Sequence, residues 1–171
     1  MQTRRQSRKG IQVLELLIAF PVLFIASIAF FQFGPAMVIH EAVQSAAEES
    51  AREAAKRVGG QTVEELTEET MNDILGVHGL ALGDAGIQVI IEQDDSDPDV
   101  TSEVICLGDT VIPCPVSSSI TSAEEIKITI IVSMEDGMGN KVAPVPNVLK
   151  NYGIDFSQKY YEFSAIARKD S

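Results

Sequence analysis

The sequence predicts an α+β protein in which a long N-terminal membrane-spanning helix continues into an amphipathic helix packed on a small antiparallel sheet. Three observations predict it. Residues 16–31 carry no charge at all. Residues 40–58 are alanine-rich and free of helix breakers, and the second half holds three short β-rich segments, two of them with alternating patterning.

The apolar segment comes first in the chain. From Ile11 to Ile39 the only charged side chain in 29 residues is Glu15, and a bilayer core needs about 20 apolar residues in a helix. Four of the 13 Lys and Arg residues (Arg4, Arg5, Arg8 and Lys9) precede it with no acid among them. From Ile11 onward 9 bases face 25 acids, a balance of −16. Basic residues before a first hydrophobic helix stay on the cytoplasmic side, so the acidic remainder is expected to be exported. Such an acidic surface repels phosphate backbones, and nucleic acid is not an expected partner.

Three readings of the N-terminus compete. A secretory signal cut near Ser27-Ile28-Ala29 leaves about ten further apolar residues unexplained, since such apolar regions usually span about 7–15 residues. A plain signal anchor fits the length but gives Glu15 no reason, although a carboxylate in a membrane helix costs about 2.5–3.5 kcal/mol on insertion scales. The third reading accounts for both features. Arg8-Lys9-Gly10-Ile11-Gln12-Val13-Leu14-Glu15 resembles the processing site of type IV prepilins and pseudopilins. The resemblance implies cleavage after Gly10, with Ile11 as the new N-terminus and Glu15 as the fifth residue. A carboxylate one helical turn from a new amino-terminal cation is placed to act as its counter-ion, and the resemblance implies pairing with a neighbouring subunit's amine. Glycine at the cut lets a peptidase approach the backbone closely.

Within the apolar helix Pro21 is expected to kink or locally unwind the chain, and Gly34-Pro35 marks a second weak point. The helical pattern resumes from His40 to Val58, where Val43, Ala47, Ala51, Ala54 and Val58 define one narrow face of small residues. Gly59-Gly60 ends it. Together with Gly10, Glu15 and Pro21, the run Ala46-Ala47-Glu48-Glu49-Ser50-Ala51-Arg52-Glu53-Ala54 resembles the TadE-like pseudopilins of tight-adherence (Flp) pilus systems. Leu14 and Leu16 flank the glutamate where that family often carries Val and Phe. The likeness covers residues 8 to about 58 and implies a pilin-like fold. It implies three parts: a basic leader over 1–10, a transmembrane helix over 11–39 and an exported α+β domain over 40–171. It further implies a bacterial inner-membrane location with a cytoplasmic N-terminus. The implied partners are a prepilin peptidase, other pilins or pseudopilins, the inner-membrane pilus platform and membrane lipid. A type II secretion or competence pseudopilin, and an unprocessed signal-anchored binding domain, remain the alternatives.

Beyond the membrane segment a second helix is expected over Thr62–Leu75, opened by a Thr62/Glu65 capping box and facing the core through Val63, Leu66, Thr70 and Ile74. Strands are expected at 87–92, 125–132 and 160–168. In the second, Ile126, Ile128 and Ile130 point one way; in the third, Tyr161, Phe163, Ala165 and Ala167 do. A short piece at 104–107 or 111–112 is expected to form a hairpin around the cysteines, and 134–155 reads as a long connection. Cys106 and Cys114, the only cysteines, have seven residues between them; in an exported domain this spacing reads as a disulfide closing a small loop.

No constellation points to catalysis or to a cofactor. Asp95, Asp97 and Asp99 alternate like the start of a calcium loop, with Glu103 at its ninth position. Val100 stands where the loop glycine belongs and Cys106 where the closing glutamate belongs, which excludes an EF-hand. A looser calcium site and a solvated acidic loop both remain open, the latter being the simpler. His40 and His78 lie too far apart in sequence for a metal motif. Ser117-Ser118-Ser119 has neither a glycine elbow nor a nearby base.

Overall fold

The computed structural model describes residues 5–56, 61–94, 103–120, 122–136, 138–155, 157 and 159–169, with backbone alone for 5–11, 103 and 152. The acidic run 95–102 and the Gly59-Gly60 stop lie outside the described residues, as does Val58. The architecture is α+β: a long N-terminal apolar helix, a second helix and a four-stranded antiparallel sheet.

The first helix, α1, runs unbroken over Arg5–Lys56, 52 residues, or about 78 Å at 1.5 Å per residue. The apolar and alanine-rich segments are therefore one rod. Pro21 and Pro35 both lie inside it without interrupting it. Each proline removes one donor, leaving the carbonyls of Leu17 and Phe31 without their usual bond, and the neighbouring bonds hold the helix across the gap.

The second helix, α2, spans Val63–Gly76 and begins with the expected capping box: the Glu65 amide donates to Thr62 Oγ1, and the Thr62 amide donates to the Glu65 carboxylate. Its buried face differs from expectation. Val63, Thr67, Met71 and Leu75 are buried, whereas Leu66, Thr70 and Ile74 are half-buried. A strict four-residue stripe faces α1, and the small Thr67 is accommodated where pattern alone selects Leu66.

The sheet is ordered β2-β1-β3-β4, all antiparallel, with β1 at Ile87–Gln93, β2 at Glu103–Gly108, β3 at Glu125–Ser133 and β4 at Tyr160–Arg168. Its register stacks apolar rows on the face toward α1: Leu107, Val89, Ile130 and Phe163 form one, and Ile105, Ile91, Ile128 and Ala165 the next. Ile39, Val43, Ala46, Ala47, Ala51 and Ala54 of α1 complete that core. Small residues on α1 let the helix sit close over the bulky isoleucines of the sheet. The expected face of Val43, Ala47, Ala51 and Ala54 is buried, with Ala46 added.

The cysteine region corrects the sequence reading. The 104–107 piece is part of β2, but it pairs with β1, and 111–112 forms no strand. Instead the chain leaves β2 at Gly108, in the left-handed region at φ +96°, where a Cβ would stand 2.3 Å from the Ile87 carbonyl oxygen. It then crosses the outer face of β1. The long connection 134–155 also carries structure not expected, a bridge between Glu135 and Lys141 and a 3-10 helix over Val148–Tyr152.

Candidate membrane and docking surface

From Val13 to Phe31 nearly every large apolar side chain of α1 is exposed, Phe31 at 70% and Phe30 at 76%. Among the described residues no other part of the fold covers this stretch. Among the described residues α1 is the one helix long and apolar enough to cross a membrane. Glu15 is exposed on this rod, four residues from Ile11, which is one helical turn. The backbone of Gly10 and Ile11 lies within the same helix.

The folded domain takes hold of α1 at Gln32, within the 11–39 segment. Gln32 is 1% exposed. Its Oε1 accepts a hydrogen bond from the backbone amide of Leu149 at 2.8 Å, which ties the 3-10 helix to α1. Its Nε2 is buried with no hydrogen-bond partner among the described residues. Beside it lies an apolar groove of about 440 Å³ between α1 and the start of β4, walled by Gln32, Ala36, Met37 and His40 on one side and by Lys159 and Tyr160 on the other. Tyr161 also lines it, its ring 5.9 Å from that of His40, and burial pushes its phenol pKa up.

On the opposite face of the sheet, the loop after β2 forms a polar latch. The Cys106–Cys114 disulfide is present. Asp109 accepts from the amides of Gly86 and Val111, and Gln88 Nε2 donates to the Ile112 carbonyl at 2.9 Å. Glu92 accepts from the amide and hydroxyl of Ser119, both at 2.6 Å, and from Lys127 Nζ at 2.8 Å. Burial pushes the Glu92 carboxyl up, but these three donors outweigh it and hold the pKa below the ordinary value. Gln88, Ile90 and Glu92 all point outward from the core and are nevertheless buried, because the loop lies on them.

The structure brings some sequence-selected residues together and leaves others apart. Cys106 and Cys114 meet. Ser119 is bound to Glu92 and Lys127, which makes it a structural contact. Among the described residues no group of three His, Cys, Asp or Glu side chains could hold a metal. Sequence reasoning missed Gln32 and the Glu92–Lys127 pair. Gln32 did leave a signal, being the only amide between Leu16 and Ile39. No protein-family model, curated protein or solved structure matches this chain.

Proposed function

We propose that the chain is a minor pseudopilin of the TadE-like type, assembled into or priming a tight-adherence pilus apparatus after its leader is cut following Gly10. The observation that carries this reading is an ordered series along one rod: basic residues, Gly10-Ile11, Glu15, a lipid-length apolar stretch, and an alanine face seated on an antiparallel sheet. In this reading the chain works by assembly. Glu15 meets the cationic N-terminus of a neighbouring subunit, and the cost of a carboxylate in lipid favours the subunit that finds that partner. The rod is embedded in the bacterial inner membrane, and the disulfide-bearing domain lies outside it, where thiols oxidise.

The test is the mature N-terminus in the native host. Intact mass and N-terminal sequencing should give a chain beginning at Ile11, and Gly10→Leu should leave the leader attached. A chain that still begins at Met1 in the wild type overturns the proposal. Glu15→Leu separates assembly from anchoring: it should remain in the membrane and fail to enter the pilus complex.

A further inference from the structure

Gln32 fixes the depth at which the folded domain sits. Gln12 to Phe31 is 20 residues, about 30 Å of helix, which equals the thickness of a bilayer's hydrocarbon core. Gln32 follows directly, and its bond to the Leu149 amide brings the 3-10 helix to the same level. The Leu149 carbonyl accepts in turn from the amide of Ile154, which holds the end of that turn there too. Lys159 and Tyr160, at the start of β4, stand beside Gln32 and Met37. When α1 spans a bilayer, both segments meet the headgroup layer.

We propose that this end of the domain is a foot that rests on an anionic phospholipid surface, with Val148, Ile154 and Tyr160 seated among the headgroups and Lys150 and Lys159 facing their phosphates. The inference rests on α1 crossing a membrane, and not on leader cleavage or pilus assembly. Charge is the first feature that selects this partner. Residues 142–161 carry two bases, Lys150 and Lys159, and one acid, Asp155, whereas the whole chain beyond Ile11 holds 9 bases and 25 acids. An anionic surface therefore repels most of the domain and attracts this end of it. Both ammonium groups are available. Among the described residues Lys159 has no carboxylate within ion-pair distance, and Lys150 meets Asp155 only in an exposed contact at 3.5 Å, which is weak in water. The second feature is apolar. Val148, Ile154 and Tyr160 are 42%, 49% and 61% exposed, and a tyrosine with an open ring and a wet hydroxyl suits a membrane interface. Val111 and Val116 are also exposed, but they belong to the loop across the sheet, away from α1, and serve as a reference.

The test uses the full chain carrying Ile154→Cys, with the native disulfide kept oxidised and the new thiol bearing an environment-sensitive fluorophore. It is reconstituted at one chain per nanodisc, with a fixed fraction of lipid bearing a nitroxide on its headgroup. Quenching in discs rich in phosphatidylglycerol should exceed that in phosphatidylcholine discs roughly twofold, since each lysine near an anionic surface adds to the attraction. Lys150→Gln with Lys159→Gln, or 1 M salt, where the Debye length falls to about 3 Å, should erase the difference. The same fluorophore at Val116→Cys should show no dependence on lipid charge. Equal quenching in both lipids means that α1 merely holds the segment near the bilayer, and overturns the proposal. So does a charge dependence that survives the double lysine variant or is shared by position 116. A dependence that appears only with two chains per disc assigns the patch to a second copy and overturns it as well. Failure of the full chain to co-float with vesicles overturns the membrane span itself, whereas flotation without quenching at position 154 overturns the foot alone.

Discussion

Glu92 on β1 and Lys127 on β3 stand directly opposite each other, with Oε1 2.8 Å from Nζ and the glutamate side chain 5% exposed. The pair lies on the face of the sheet away from α1, yet it is shielded from water because Ser119 closes over it with three further bonds, donating two to Glu92 and accepting one from Lys127. A strand position that faces outward has thus become a second, polar interior held by a disulfide-tied loop.

The two members of this pair should respond unequally to mutation. Lys127→Met leaves a buried carboxylate with only Ser119 to satisfy it, and should cost about 3 kcal/mol. Glu92→Gln keeps an acceptor for Ser119 and should cost about 1–2 kcal/mol. Because Glu92 is held below its ordinary pKa, the unfolded chain takes up this proton more readily than the folded one. The stability the carboxylate contributes is complete above the ordinary value of about 4.3 and is lost as pH falls through the lower folded value. Urea titrations of wild type and Glu92→Gln should therefore differ by a constant amount at neutral pH and converge on acidification. A gap that widens toward acid rules this assignment out.

The Cys106–Cys114 bond acts on the same latch from its other end. In the chain-entropy account, closing a loop of this length is worth about 2.5 kcal/mol, and the bond also holds residues 109–119 across Gln88, Ile90 and Glu92. Reduction, or Cys114→Ser, should lower stability by about that amount. It should also speed hydrogen exchange at the Ser119 amide, while the amides that join β3 to β4 keep their protection. Equal loss across the sheet would mean that the loop is integral to the whole fold.

What the sequence discloses, and what it hides, divides along physical lines. Periodicity located the alanine face of α1, α2, β3 and β4, because each has a face whose burial imposes a spacing, whereas the apolar part of α1 showed as an uncharged length and β1 only as a β-rich run. The Thr62/Glu65 box was legible because it is local, needing only four consecutive residues. The α2 face was misread because Thr67 is polar in composition and buried in fact; its partner is the small-residue surface of α1, which no local pattern reveals. The outer face of β1 was hidden for a similar reason. Its seven residues are all buried, and only the loop after Gly108, placed by the disulfide and Asp109, explains why. Glu92 and Lys127 are 35 residues apart and become neighbours only once the β1–β3 register is fixed.

The close approach of α1 to the sheet makes a separate prediction. Ala47 is fully buried among core side chains. Ala47→Leu adds three carbons where the packing has no room, and should cost about 1–3 kcal/mol. Ala47→Gly removes one methyl group and weakens the helix by about 1 kcal/mol. Thermal melts should show both losses, with the larger residue the more damaging. If Ala47→Leu is neutral, α1 does not sit as close to β3 as described.

Gln32 offers the most direct measure of how the apolar rod is joined to the domain. Its Oε1 is the acceptor for the Leu149 amide across 117 residues of sequence, and this bond fixes the 3-10 helix against α1 just beyond the exposed span. Gln32→Leu keeps the bulk and removes the acceptor. It should cost about 1 kcal/mol, since it leaves the Leu149 amide without a partner but also eliminates the unsatisfied Nε2. Gln32→Ala loses the packing as well and should cost about 2–3 kcal/mol. In both variants hydrogen exchange at Leu149 should accelerate selectively, with the Cys106–Cys114 loop unaffected because it lies on the far face of the sheet. Retained protection at Leu149 in Gln32→Leu would show that the 3-10 helix is held by its own turn, and that α1 joins the domain only from Ile39 onward.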